Sequence, residues 1–134
     1  MGTRSLTYVY DSSGDNGESE PIMCIYRQYD GYPSCHGHEL AQFLNSKTLV
    51  NGYGEQNSIE ANGMSCLAAQ LVVQLKHGVG GIYIHAPVLG RDYSQDYEYH
   101  VYEDKVIVKD PTAVIFDGTW EDFAQFCLDP ISAE

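Results

Sequence analysis

Residues 3–10, TRSLTYVY, alternate so that Arg4, Leu6, Tyr8 and Tyr10 share one side while Thr3, Ser5, Thr7 and Val9 share the other, which predicts a strand. The next ten residues, DSSGDNGESE, are acidic and rich in Gly and Ser, and predict an exposed, mobile loop. Strand composition resumes at Pro21 in PIMCIYRQYD, so the two strands predict a long-looped hairpin. Asp30-Gly31-Tyr32-Pro33 is turn chemistry, with Gly31 expected at positive φ and Tyr32 held extended by the proline after it. Ser34 is then a candidate N-cap for a helix over 34–45 that places His36, Leu40, Phe43 and Leu44 on one side. Gly37 inside this helix predicts a close approach by another element or a ligand, since glycine costs a helix about 1 kcal/mol relative to alanine.

Residues 46–63, with their glycines and asparagines, predict a long loop. The clearest helix follows over 62–77, with Met64, Leu67, Ala68, Leu71, Val72 and Leu75 at helical spacing, Cys66, Ala69 and Val73 widening the stripe, and Asn62 as candidate cap. After it come GGIYIHAP, DYEYHVYEDKVIVKDP with a tight turn near Glu103-Asp104, and TAVIF, which together predict an antiparallel meander. Thr119, three residues before Asp122, predicts a capped short helix with Trp120, Phe123 and Phe126 on one side, before a fraying tail. The expected fold is therefore α+β: a mainly antiparallel sheet, built from the N-terminal hairpin and the later meander, packed on the 62–77 helix, with two further helices, in one domain over 1–134.

Charge changes the picture of partners. Seven Lys+Arg against 19 Asp+Glu give a formal net charge of −12, which argues against binding driven by electrostatics to duplex nucleic acid or to anionic lipid. No apolar run of roughly 18 residues is present to span a membrane. Cys24, Cys35, Cys66 and Cys127 form no CxxC pair and follow no secretory leader, so reduced thiols and a cytoplasmic location are expected. Eleven tyrosines supply rings with polar tips, suited to half-wet sheet faces, interfaces and ligand walls, and the composition is compatible with a homo-oligomer.

Candidate chemistry gathers in YRQYDGYPSCHGHEL, residues 26–40. If Leu6 lies opposite Ile25 in the hairpin, Arg4 lies opposite Arg27, and such a pair needs something negative between the guanidinium groups. That negative partner is either Asp30 or Glu39, making an internal clamp, or an anionic ligand. A helix opening at Ser34 would aim free N–H groups at the same place and lower the Cys35 pKa, with His38, three residues on, as its nearest base. Asp30 and His36 are the candidates for acid–base chemistry, although His36 on the apolar side of the helix also fits a satisfied core histidine. Cys35-His36-x-His38 has metal-donor types but the wrong layout, so no metal or cofactor is expected.

GTRS at the N-terminus together with IYRQYDGYPSCHGHEL, and later NGMSCLAAQLV and GGIYI, resembles a widespread group of small uncharacterised proteins of bacteriophage and prokaryotic genomes. In that group a T-R-S strand precedes a D-G-Y-P-x-G-x-G-x-x-L segment, and the likeness runs to about residue 103. Arg4, Arg27, Asp30, Gly31, Tyr32, Pro33, His36 and Gly37 occupy motif positions, while Cys35 stands where the pattern has glycine. By genome-context analogy the resemblance implies a small phage-type protein that sequesters an anionic, nucleotide-derived signal. The expected ligand-binding set is Arg4, Arg27, Asp30, Tyr32, Ser34, His36 and His38. The alternatives are a hydrolase or transferase using Asp30 and His36, and a structural or protein-interaction subunit whose motif braces the fold.

Overall fold

The computed structural model describes residues 2–11, 20–50 and 59–128. Most of the loop expected at 11–20, the middle of the 46–63 loop and the C-terminal tail lie outside the described residues. The fold is α+β, with a mostly antiparallel six-stranded sheet and three helices. β1 (Ser5–Tyr10) and β2 (Pro21–Arg27) form the hairpin; β5 (Ile82–His85), β6 (Tyr97–Val101), β7 (Val106–Lys109) and β8 (Val114–Gly118) complete the sheet. β3 (Thr48–Val50) and β4 (Glu60–Asn62) form a separate parallel pair, where the sequence predicted loop alone.

The strand order β5-β2-β1-β6-β7-β8 departs from a simple hairpin plus meander. β5 leaves the meander to pair antiparallel with β2, and β6 adds parallel to the free edge of β1. β1 is thereby central and buried along its whole length. Its hairpin register is one residue away from the expected one: Ser5, not Arg4, lies opposite Arg27, and Leu6 lies opposite Tyr26. The slip has a packing cause. It puts Ile25 with Thr7 and Val9 towards the helices and Cys24 with Tyr8 on the far face, whereas the expected pairing would mix the two apolar sets.

α1 (His38–Asn45), α2 (Gly63–Leu75) and α3 (Trp120–Leu128) bury their apolar sides with Val9, Ile25, Tyr99, Val101 and Val108. Leu67 and Leu71 of α2 are fully buried, but Val73 is 78% exposed and Ala69 also faces solvent, so the α2 stripe is narrower than predicted. α1 and α3 pack on each other, and α2 lies against β1, β3 and β4. Thr119 caps α3 as expected, its Oγ1 accepting from the Asp122 N–H at 3.1 Å. The opposite face of the sheet carries Leu6, Tyr8, Tyr10 and Cys24, packed against Tyr26 and against Tyr93 and Tyr102 from the connecting loops. No helix among the described residues is long and apolar enough to cross a membrane.

Candidate functional site

The chain enters the motif through Asp30, whose φ is +62°. Asp30, not Gly31, therefore takes the left-handed turn conformation, which Asp tolerates better than most residues. Gly31 is required for a different reason. A Cβ there would stand 2.8 Å from the Ser5 Cβ and 2.9 Å from the Thr3 carbonyl, to which the Gly31 N–H donates at 2.8 Å.

From Pro33 to Gly37 the backbone makes one π-type turn that runs into α1. Tyr32 stands in the cap position with Pro33 after it, no side chain caps the turn, and Ser34 is exposed and does not act as N-cap. The N–H groups expected to cradle an anion are already used. Those of Cys35 and Gly37 donate to the Tyr32 carbonyl, and that of His36 to the Asp30 carbonyl. The helix opening is thus largely satisfied from within, and burial pushes the Cys35 thiol up rather than down, although the Arg27 charge pulls the other way.

His36 is completely buried, edge-on to the Tyr99 ring at 4.9 Å. Its Nδ1 lies 3.1 Å from Arg27 Nη1 and its Nε2 2.7 Å from Thr7 Oγ1. A guanidinium only donates, so Nδ1 accepts from Arg27 and the ring proton sits on Nε2, donating to Thr7. Burial first and the Arg27 charge second hold the imidazole pKa down to about 3. It is a neutral ring with both nitrogens engaged, and no lone pair remains to take a substrate proton.

Arg27 is equally committed. Its Nε donates to the Tyr29 carbonyl at 2.9 Å, and Nη1 pairs with Glu39 Oε2 at 3.2 Å. Glu39, rather than Asp30, is its charge partner. Alternation from Leu6 places Arg4 on the far face of the sheet, and its backbone is held by Asp96, the Arg4 N–H donating to Asp96 Oδ2 at 3.1 Å and the Arg4 carbonyl accepting from the Asp96 N–H at 2.8 Å. The two-arginine clamp does not form. Tyr32 and Asp30 are exposed on the motif's outer side, and His38, half-buried at the start of α1, meets Cys35 through the backbone, its N–H donating to the Cys35 carbonyl. Tyr99 closes the unit by donating to the Gly31 carbonyl at 2.7 Å, and Gly37 gives it room, since a Cβ there would meet Cys127 Sγ at 2.9 Å. The structure thus brings Arg27 and His36 together with Thr7, Glu39 and Tyr99, and separates them from Arg4, Ser34 and His38.

A second polar chain crosses the far face of the sheet. Glu98 Oε1 accepts from His100 Nε2 at 3.0 Å, and His100 Nδ1 lies 2.7 Å from the Tyr10 hydroxyl, with Tyr8 stacked on the ring. The bond from His100 lowers the Glu98 pKa, and Gln95 holds its other oxygen. Glu98 and His100, two apart on a strand, were legible as neighbours in YEYHV. Their link to Tyr10 arises only from the β1–β6 pairing. Near the β5 edge of this face, Tyr26, Tyr83, His85 and Tyr93 form a partly exposed cluster of rings. Among the described residues no group of three or more His, Cys, Asp or Glu side chains is arranged to hold a metal ion. No family model, curated protein or solved structure matches the chain.

Proposed function

We propose that this chain acts by presenting a surface to another macromolecule, and that the D-G-Y-P segment braces that surface without turning over a substrate. The observation that carries the proposal is the closed circuit of Arg27, His36, Thr7 and Glu39, in which each charged or basic group is engaged by another part of the same chain. One stretch of the surface is apolar and aromatic. Val79, Tyr83, Ile84, Val88 and Leu89 are exposed within residues 77–90, a stretch with no Asp, Glu, Lys or Arg. Four free thiols suit a cytoplasmic setting.

The test uses a photo-reactive residue at position 84, with position 104 as control, together with product analysis on nucleotides, sugar phosphates and esters. Cross-links from 84 but not from 104, without turnover, are expected. Turnover abolished by Asp30→Asn or His36→Gln would restore the hydrolase or transferase reading and overturn this one.

A second reading, sequestration of a small anionic, nucleotide-derived ligand, is favoured by one observation. Strand alternation puts Arg4 on the same face as the rings of Tyr26 and Tyr83, so a stacked base there would have a cation within the same surface. Calorimetric titration with nucleotides, repeated on Arg4→Gln and Tyr83→Ala, tests it, and its phage-type context rests on the resemblance noted above.

A further inference from the structure

A sheet of six strands in an open order has two edges, and in this chain they differ in charge. β8 at one edge carries exposed Asp117, and exposed Glu121 and Asp122 follow on α3. β5 at the other edge lies within the uncharged residues 77–90. In a protein of net charge −12, the β5 edge is the one that a like-charged chain can approach closely.

The backbone of that edge is open in one place. The Gln28 N–H donates to the Gly81 carbonyl, so along β5 the pairs Gly81–Gln28, Tyr83–Tyr26 and His85–Cys24 are the hydrogen-bonded ones. Ile82 and Ile84 therefore turn their N–H and C=O groups away from β2. The Ile82 carbonyl is covered, because Lys76 Nζ donates to it at 2.8 Å and to the Gly80 carbonyl at 3.1 Å. Ile84 has no such cover among the described residues, and the residue is 58% exposed. A lysine thus blocks one half of the edge, a common protection against indiscriminate strand pairing, and leaves the other half uncovered.

We propose that a second copy of this chain pairs antiparallel at the β5 edge, centred on Ile84. The proposal rests on the surface-presenting function above and names the partner. An antiparallel two-fold pairing lets Ile84 exchange its N–H and C=O with Ile84 of the other copy. Tyr83, Val88 and Leu89 supply apolar contact around that short ladder. A basic peptide fits the edge less well, since residues 77–90 offer it no carboxylate. Because the two copies repel each other at long range, salt strengthens this dimer by screening, the opposite of an ion-paired interface.

Sedimentation equilibrium of the full chain across concentration and sodium chloride tests the proposal. A monomer–dimer equilibrium that shifts to dimer as salt rises is expected, with at least about a tenfold weaker association for Ile84→Lys. Leu89→Asp in the adjoining exposed loop should weaken it in the same direction, and covers the case in which Ile84→Lys does not fold. Val114→Lys on the opposite edge should leave it unchanged. A monomer at every concentration and salt, a dimer indifferent to both β5-edge variants, or one that dissociates as salt rises would each overturn the proposal. Cross-links from position 84 to a different macromolecule by a monomeric chain would overturn the self-pairing alone and leave the surface-presenting function standing. Absence of any cross-link would remove both.

Discussion

Replacing Arg27 by methionine keeps an unbranched stem about as far as the arginine Nε and removes the guanidinium with its charge and its donors. The Arg27 side chain is 13% exposed, and His36, whose Nδ1 accepts from it, is fully buried. The largest loss comes from that acceptor, which no water reaches, and stranding it costs about 1–3 kcal/mol. The Tyr29 carbonyl lies at an exposed residue and contributes about 0.5–1 kcal/mol. The Glu39 pair is worth about 0–1 kcal/mol, because the Glu39 side chain is 41% exposed and water screens it. Together these make a loss of about 1.5–5 kcal/mol, read as a lower urea midpoint at unchanged slope. Glu39→Gln alone should cost under about 1 kcal/mol, so the two variants separate the histidine bond from the ion pair. If Arg27 instead stood uncompensated and waiting for an anion, Arg27→Met would be neutral or stabilising. A change under about 0.5 kcal/mol would therefore refute the brace.

His36 makes stability depend on pH. Its pKa is held near 3 in the fold against an ordinary value of 6.5, so below pH 6.5 the unfolded chain takes a proton that the fold refuses. Stability is full above that value and falls as pH drops towards 3, by up to about 1.4 kcal/mol per pH unit, and urea unfolding between pH 6.5 and 5 should show a slope that His36→Gln lacks. Leu71, fully buried on α2, should cost about 2–5 kcal/mol as Leu71→Ala in the same assay, and a shift under about 0.5 kcal/mol would refute the placement of that helix. Gly37→Ala should cost about 1–3 kcal/mol in thermal unfolding, because the new methyl group meets Cys127 Sγ and the Tyr99 ring. Burial holds the thiols of Cys24 and Cys127 up to about 11 and about 12, so these two should alkylate only on unfolding while half-buried Cys35 and Cys66 label in the native protein, as mass spectrometry can resolve.

Local chemistry written into neighbouring residues was legible without coordinates. The 3.6-residue spacing of Met64, Leu67, Leu71 and Leu75 placed α2, and the hydroxyl of Thr119 marked the start of α3. Period-two alternation marked β1 and β6, and the α+β class followed from the predicted strands and helices together. The same reading singled out Arg27 by the like charge expected opposite it, offered Asp30 or Glu39 as its internal partner, and kept His36 as an acid–base candidate or a satisfied core histidine.

What the alternation of one strand cannot state is which neighbour it meets. β1 is buried on both faces, so its own pattern accepts either hairpin register. The choice fell to Ile25 and Cys24, which had to join different cores, and a slip of one residue moved Arg4 to the far face and dissolved the two-arginine clamp. The parallel β1–β6 pairing that brings Tyr10 to His100 joins segments far apart along the chain, where no local signal exists. Sequence thus determined which residues needed partners, through burial and charge. Only the closing of the sheet decided who those partners were, because side-chain direction in a strand is set by register, and register is settled by the packing of both faces at once.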